Sequence, residues 1–322
     1  MPDFAAELER ERTILAEGSV VERLRRHPGL RLDPHVAHAG FLYQENAAQV
    51  MGDIWREYLS AGRDAGLPAL ILTPTWRANR ERLDRAGLAG RDVNGDAVRF
   101  LESLRREQAS NAGRVLIGGL LGCRGDCYLP EQALSAGDAH GFHAAQASAL
   151  ARAGAHLLFA STLPALSEAL GLARAMAECG APYVVSFVVT REGALLDGTP
   201  LGGAIRRIDL GVSPAPLGYL ANCVHTSIFE RALRRLEPGL RRRVLGLQAN
   251  TSRKTPAEFD GLPYLDSEPP SVFADAMAAL GEEFGLKILG GCCGAGGGHI
   301  RALAARLSRR PGTGAAQPAV RL

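Results

Sequence analysis

The chain has 322 residues, of which 46% are hydrophobic and 22% are charged, and its formal net charge is +3 at pH 7. This length and composition are typical of a globular protein with one large domain or two ordinary ones, and enough apolar residues for a sizeable core. The arginines are scattered rather than gathered into a basic stripe with interleaved aromatic residues, so the sequence does not predict nucleic-acid binding.

The N-terminal segment and the cysteine content together indicate a cytoplasmic protein. Met1–Arg12 is charged and lacks the apolar centre of a signal peptide. No apolar run approaches the ~18 residues of a membrane span. Six cysteines in a chain of this length do not make a disulfide framework. In a reducing compartment, clustered thiols indicate metal binding or catalysis.

A short apolar run followed by a helical segment recurs along the chain. After a polar lead-in, Glu7–Arg12, the first strand is predicted at Thr13–Ala16 and ends at the turn Glu17-Gly18-Ser19. The predicted strands are 13–16, 68–72, 114–117, 155–160, 183–189, 216–220, 243–248 and 286–289. The main predicted helices are 45–65, 97–110, 139–153, 164–179, 201–207, 226–236, 271–284 and 298–308.

Eight strand–helix units in a chain of this length predict an α/β protein with a single-domain (β/α)8 TIM barrel. The alternative is a doubly wound open sheet. A dinucleotide site in such a sheet would need G-x-G-x-x-G after the first strand, and Glu17-Gly18-Ser19 does not supply it. We expect the barrel to occupy residues 1–308 and residues 309–322 to form a flexible tail.

Three cysteines at predicted strand ends indicate one metal site. Cys223 ends the sixth strand, and Cys292 and Cys293 end the eighth, in a stretch whose glycines permit irregular backbone. One strand separates the two positions in a barrel, and strand ends meet at one face. Three thiolates match a Zn²⁺ site, and three protein ligands leave one position open, as in catalytic zinc.

The open position suits a substrate thiol. Three thiolates place excess negative charge on zinc, which makes it a poor Lewis acid toward water, and a soft site favours sulfur. A coordinated thiol is deprotonated at neutral pH, and the thiolate is the nucleophile. The sequence therefore predicts a barrel that activates a thiol for attack on an electrophilic carbon.

In the arrangement of Cys223, Cys292 and Cys293, the chain resembles the homocysteine S-methyltransferase family. The three-cysteine arrangement is the specific part of the resemblance, which runs from about Leu15 to Leu303. The matching stretches are Gly290-Gly291-Cys292-Cys293-Gly294, His299-Ile300-Arg301, Asn222-Cys223, Ser186-Phe187-Val188-Val189, Asp197-Gly198-Thr199-Pro200-Leu201 and Thr73-Pro74-Thr75-Trp76-Arg77-Ala78-Asn79.

The resemblance implies a zinc-dependent transferase of EC class 2.1.1 in methionine biosynthesis. Such an enzyme moves a methyl group from S-methylmethionine, S-adenosylmethionine, betaine or a folate to the zinc-bound thiolate of homocysteine, giving methionine. Cys223, Cys292 and Cys293 would be the zinc ligands and would act catalytically through that thiolate. The implied partners are a small-molecule thiol acceptor and a methyl donor, with neither nucleic acid nor membrane.

Substrate binding is assigned to Glu17, Gly18, Thr73, Ser161 and Asn222. The family usually has Asp-Gly-Gly where this chain has Glu17-Gly18-Ser19. It has Phe-Glu-Thr after the fourth strand, where the glutamate is expected to hold the amino group of homocysteine, and this chain has Ala160-Ser161-Thr162. Either another acid substitutes, with Glu17 as the candidate, or the acceptor is not homocysteine.

Two alternatives therefore stand beside a homocysteine methyltransferase: a zinc-thiolate enzyme of the same fold with a different thiol acceptor, and a non-enzymatic zinc-binding regulator. Cys123 and Cys127, in the loop after the third strand, are either loop thiols without function or a redox pair or auxiliary ligand set. We expect His225 to be an ordinary surface histidine.

Overall fold

The structure, a computed structural model, describes residues 3–254 and 266–308. Within these ranges, parallel strands close into one barrel of eight in sequence order, which confirms the predicted fold. The last strand pairs with the first, so the sheet has no free edge. The strands are β1 (Ile14–Ala16), β2 (Ala69–Leu72), β3 (Val115–Leu121), β4 (Leu157–Leu163), β5 (Tyr183–Phe187), β6 (Gly218–His225), β7 (Val244–Asn250) and β8 (Ile288–Gly291).

All eight predicted strands occur, and five of them (β3, β4, β6, β7 and β8) end later than predicted, β4 and β6 within the candidate site. β4 includes Ser161, and β6 includes Asn222 and Cys223, so these residues lie inside strands rather than after them. The apolar run that predicts a strand ends earlier than the backbone pairing, which continues through polar residues facing a cavity. Register shifts interrupt the pairing in both strands, between Ala160 and Leu163 and between Asn222 and Val224.

Helices follow the strands around the outside of the barrel. Those in the described residues are α1 (Phe4–Arg10), α2 (Val21–Arg25), α3 (Glu45–Asp64), α4 (Arg80–Arg85), α5 (Val93–Glu107), α6 (Ala136–Arg152), α7 (Leu166–Ala177), α8 (Leu201–Gly211), α9 (Thr226–Arg235), α10 (Pro238–Arg241), α11 (Pro270–Phe284) and α12 (Gly297–Ser308). Short 3₁₀ turns lie at Ala39–Tyr43, Ala109–Arg114 and Pro130–Gln132.

The N-terminal segment closes one end of the barrel, and the prediction of a polar lead-in there was wrong. Asp3 caps α1 by accepting hydrogen bonds from the backbone of its first turn. Phe4 and Leu8 of α1 pack in one apolar cluster with residues that begin strands, including Ile14 and Leu157. The opposite end, where the strands finish, is left open for the loops that carry the site.

The outer core lies between the helices and the outer faces of the strands. α3 illustrates it: Met51, Trp55, Tyr58 and Leu59 are buried along one face at helical spacing. Each such side chain contributes about 1.5–3 kcal/mol by leaving water. The wall of the barrel is therefore a rigid support for the residues at its open end.

No helix in the described ranges is long and apolar enough to cross a membrane. The loop predicted at 255–270 lies partly, and the tail predicted at 309–322 wholly, outside the described residues. The domain boundary at residue 308 accordingly stays a prediction.

Candidate metal centre

The three cysteines singled out in the sequence meet at the open end of the barrel. The Sγ atoms of Cys223, Cys292 and Cys293 all lie within 4.8 Å of one another. The sulfurs of Cys223 and Cys292 are in direct contact, with their Cα atoms 5.5 Å apart. The fold thus brings residues from β6 and from the end of β8 to one point.

Two adjacent cysteines can face the same point because β8 ends in glycine. Gly291 closes the strand, and a Cβ atom there would collide with the side chain of Ala295. The backbone then turns, with Ala295 N donating to the carbonyl oxygen of Cys292 at 3.1 Å. Gly294 completes the turn at a φ of +84°, a conformation that favours glycine.

Cys223 reaches the same point through an irregular strand. It lies in the left-handed region at a φ of +57°, at the bulge of β6. For a residue with a side chain this conformation costs about 1–2 kcal/mol, so the surrounding contacts must hold it in place. Thr162, at the bulge of β4, has a φ of +59°.

Asn222 links these two strained positions. Its Oδ1 accepts from the backbone N of Thr162 at 2.9 Å and from Ser186 Oγ at 2.6 Å. Its Nδ2 donates to Thr162 Oγ1 at 2.6 Å and lies 3.5 Å from Cys223 Sγ. Both ends of the Asn222 carboxamide are therefore engaged by other protein groups. These hydrogen bonds hold the bulges of β4 and β6 together, and the β6 bulge contains Cys223.

Asn250, which the sequence analysis missed, ties β6 to the loop after β8. Its Nδ2 donates to the carbonyl oxygen of Cys223 at 3.0 Å, and its Oδ1 accepts from the backbone N of Cys293 at 3.1 Å. It is the last residue of β7, between the two strands that supply the cysteines. Its position at a predicted strand end was the feature of the sequence that could have identified it as a site residue.

A cavity of about 710 Å³ opens beside the sulfurs. That volume is in the range of small-molecule sites. The three cysteines line it, and so do all five residues assigned to substrate binding: Glu17, Gly18, Thr73, Ser161 and Asn222. The sequence-based selection therefore converges on one cavity.

Glu17 presents a buried carboxyl group to this cavity. Its Oε2 accepts hydrogen bonds from Trp55 Nε1 at 2.7 Å and from the backbone N of Leu72 at 2.8 Å. Burial raises the pKa of Glu17 from 4.5 to about 8, against the opposing effect of these two donors. Its Oε1 receives no hydrogen bond from the described residues.

Thr73 and Ser161, two of the remaining substrate-binding candidates, carry hydroxyl groups. Thr73 Oγ1 accepts from the backbone N of Leu120 at 2.8 Å. Ser161 Oγ lies 3.0 Å from Thr162 Oγ1. Neither bears a charge, so Glu17 is the one of the five candidates with an ionisable group that an ammonium group could pair with.

Cys123 and Cys127 are both buried, and Cys127 lines the same cavity. They are not bonded to each other. Burial raises the pKa of Cys123 to about 12 and that of Cys127 further, so both are neutral thiols at pH 7.

His225 was wrongly predicted to lie at the surface. It is the last residue of β6 and is buried. Its Nδ1 accepts from the backbone N of Ser227 and so caps α9, and its Nε2 is 3.3 Å from Glu268 Oε2. The error follows from the underestimated length of β6.

Comparison with known proteins gives a family match over most of the chain. The model described as "Homocysteine S-methyltransferase" matches residues 14–307. A homocysteine S-methyltransferase of Escherichia coli strain K12 is 28% identical over 314 residues, covering 93% of this chain and 96% of that protein. A methionine synthase of Mycobacterium leprae is 32% identical over 149 residues, covering 44% of this chain, and the chain spans only 11% of that protein.

A similar solved structure is that of the metallated form of the homocysteine methyltransferase MmuM from Escherichia coli. It aligns with a TM-score of 0.73 over 95% of this chain and 100% of that chain, at 22% identity. The likeness shows a shared fold.

Proposed function

The chain belongs to the homocysteine S-methyltransferase family, and we propose that it moves a methyl group from a sulfonium or ammonium donor to the thiol of homocysteine, giving methionine. The observation that carries the proposal is the convergence of three cysteine thiols on one substrate-sized cavity. Enzymatic activity of EC class 2.1.1 and a cytoplasmic location are parts of the same proposal.

The donor set fits Zn²⁺ held by Cys223, Cys292 and Cys293. Tetrahedral zinc with bonds of about 2.3 Å places its sulfur ligands about 3.8 Å apart. The three Sγ atoms lie within 4.8 Å of one another, which is close to the spacing that one zinc ion requires. Cys223 and Cys292 must be reduced for this, because the thiolate is the ligand.

When bound, Zn²⁺ would lower the pKa of the acceptor thiol, so that the acceptor reacts as a thiolate. The acceptor sulfur then forms a bond to the methyl carbon while the bond between that carbon and the donor sulfur or nitrogen breaks. The electron pair leaves with the donor, which becomes a neutral thioether or tertiary amine. The proton of the acceptor thiol passes to solvent when the acceptor binds.

The chain's own residues bind and orient the two substrates. Glu17 would hold the ammonium group of homocysteine through Oε1, since Oε2 is engaged by Trp55 and Leu72. An ammonium group bound to Oε1 would lower the pKa of Glu17 and favour its ionised form. Thr73 and Ser161 would contribute hydroxyl groups, and Gly18 lets the backbone after β1 approach Ala295 closely. Fixing sulfur, methyl carbon and leaving group in line is the main source of rate.

A different thiol acceptor is the second candidate, and Ser161 is the observation that favours it. The family is expected to have a carboxylate at this point, and Ser161 supplies none, which leaves Glu17 as the one acidic residue among the five substrate-binding candidates. A thiol without an ammonium group, such as 3-mercaptopropionate, would need no such contact.

The test combines metal analysis with product formation. Reduced, zinc-loaded protein is incubated with homocysteine and, in turn, S-methylmethionine, S-adenosylmethionine and betaine, and methionine is detected by mass. We expect Cys223→Ser, Cys292→Ser and Cys293→Ser to lose zinc and methionine formation together, while Cys179→Ser keeps both. Faster methylation of 3-mercaptopropionate than of homocysteine would favour the second candidate. No methylated thiol with any donor would refute both.

A further inference from the structure

One arginine that lines the cavity, Arg77, has no carboxylate partner among the described residues. Arg77 lies in the loop after β2, is half-buried and lines the cavity. Its guanidinium group makes no hydrogen bond or ion pair with any described residue, and its contact is with Trp76, whose ring centroid is 4.5 Å from the guanidinium carbon. The other two arginines that line the cavity, Arg25 and Arg26, both pair with Glu22.

Arg77 shares its side of the cavity with Arg82 and with Asp126, and it forms no ion pair with that carboxyl group. Arg82, whose pKa is lowered by burial and by the charge of Arg77, lies nearby. It donates to the carbonyl oxygens of His35 and Arg124 and has no carboxylate partner among the described residues. The charge of Arg77 also acts to lower the pKa of the thiols of Cys123 and Cys127. The guanidinium group therefore lies on the side of the cavity formed by the loop after β3.

A guanidinium group in a concave site offers five N–H donors in a planar fork that matches a carboxylate. Here none of the five is used by the described residues, and the guanidinium group lies over the Trp76 ring. The same stacking covers one face of the indole, so this face cannot receive a cationic group by cation–π contact. The Arg77–Trp76 pair is therefore suited to an anion and repels a sulfonium.

Building on the proposed function, we propose that Arg77, stacked on Trp76, binds the carboxylate of the methyl donor. The cationic end of the donor would then point away from Arg77 and toward the thiolates of Cys223, Cys292 and Cys293, which attract it. The acceptor occupies the end of the cavity near Glu17. The donor is accordingly a sulfonium or ammonium compound with a carboxylate at its other end.

The kinetic test uses two donors that differ by one group: S-methylmethionine and its decarboxylated analogue, (3-aminopropyl)dimethylsulfonium. In the zinc-loaded enzyme, Arg77→Met should raise the KM for S-methylmethionine about 10–100-fold, the loss expected for hydrogen bonds to a charged group. The KM for homocysteine should change less than about twofold, and turnover of the analogue should not fall. Arg77→Lys should restore part of the loss. Arg231→Met, an exposed arginine on α9, is the control.

A binding measurement keeps this proposal separate from the proposed reaction. Calorimetric titration of both donors is made without acceptor, in wild type and Arg77→Met. Wild type should bind S-methylmethionine about tenfold or more tightly than the analogue, and the variant should bind the two equally. Such discrimination without methionine formation would refute the reaction and leave the carboxylate site standing. Equal binding by wild type, or a rise in the KM for homocysteine alone, would overturn the assignment of Arg77.

Discussion

Asn250 donates a hydrogen bond to the carbonyl oxygen of Cys223 at 3.0 Å, and the same carboxamide accepts one from the backbone N of Cys293 at 3.1 Å. A single neutral side chain thereby fixes the distance between the two segments that supply the thiols. The bond to the carbonyl oxygen also helps to hold the backbone of Cys223 at its φ of +57°, from which the thiol side chain projects. We therefore expect Asn250 to act as a positioning residue for the proposed metal centre.

Replacing Asn250 should weaken metal binding without removing a ligand. We expect Asn250→Ala to lower zinc affinity about 10–100-fold, the usual effect of losing a group that orients metal ligands. The two unpaired backbone groups should also lower the free energy of unfolding by about 1–3 kcal/mol. Competition with a chromophoric chelator measures the first effect and denaturant unfolding the second.

Asn94 provides the matched control. It is a buried asparagine that donates to the carbonyl oxygen of Ala78 at 3.0 Å, in the loop after β2. Asn94→Ala should lower stability by a similar amount and leave zinc affinity unchanged. Equal zinc affinities for the Asn250→Ala and Asn94→Ala variants would show that Asn250 has only a structural role.

The second pair of cysteines should not contribute to metal binding. Cys127 shares the cavity with Cys293, but the described thiols close enough to share one ion are Cys223, Cys292 and Cys293. Burial raises the pKa of Cys123 and Cys127, so both remain protonated at pH 7. We expect Cys123→Ser and Cys127→Ser to keep the zinc content of wild type, measured by atomic emission after dialysis. A loss of zinc comparable to that of Cys293→Ser would make Cys127 a ligand.

The fold and the three thiols could be predicted because each has a local signal. A strand that is buried on both faces has a continuous apolar run in its sequence. The two adjacent cysteines among glycines after β8 can be recognised in the sequence without any knowledge of the rest of the chain. Placing Cys223 beside Cys292 required only the rule that parallel strands of a barrel finish at one face.

The remainder of the site depends on contacts between distant parts of the chain. Asn250 ends a predicted strand, but its two hydrogen bonds become apparent only when β6 and β8 are placed on either side of it. The bulge at Thr162 does not change the pattern of apolar residues, so that pattern cannot predict it. The hydrogen bond from Trp55 to Glu17 joins α3 to the end of β1, two segments that are far apart in the sequence. The closure of the barrel by Phe4 was missed for the same reason, since α1 has only seven residues and its apolar side chains meet strand residues that are distant in the sequence.

Glu17 should make stability depend on pH in a direction opposite to that of an ion-paired carboxylate. Its pKa is raised from 4.5 to about 8, so the folded state holds a proton that the unfolded state releases. The resulting stabilisation is complete below pH 4.5 and is lost as the pH rises toward 8. In metal-free, reduced protein we expect the free energy of unfolding to fall by up to about 1.4 kcal/mol per pH unit from pH 5 to 7.5.

Glu17→Gln tests this dependence, because glutamine can accept the same hydrogen bonds from Trp55 and Leu72 without titrating. Urea unfolding across pH 5–7.5 should give the variant a flatter profile than wild type, by up to the slope assigned to Glu17. Parallel profiles for the two proteins would show that Glu17 is ionised in the folded state.

The loop that carries Cys127 and Asp126 should depend on one buried carboxylate. Glu168 is fully buried, and it accepts from the backbone N of Arg124 at 2.7 Å and of Leu134 at 3.3 Å while lying 2.9 Å from His143 Nε2. Removing it leaves two backbone donors and a buried histidine without their acceptor. We expect Glu168→Ala to lower the free energy of unfolding by about 3–5 kcal/mol, and thermal unfolding measures it.

A second histidine–glutamate pair joins the same two helices at the surface and serves as the control. His140 of α6 lies 2.9 Å from Glu178 at the end of α7, but the Glu178 side chain is 65% exposed. Glu178→Ala should cost less than about 1 kcal/mol, since solvent screens an exposed pair. Because the loop after β3 lines the cavity, Glu168→Gln should also raise the KM for the donor while Glu178→Gln leaves it unchanged. Equal losses of stability in the two alanine variants would contradict a bracing role for Glu168.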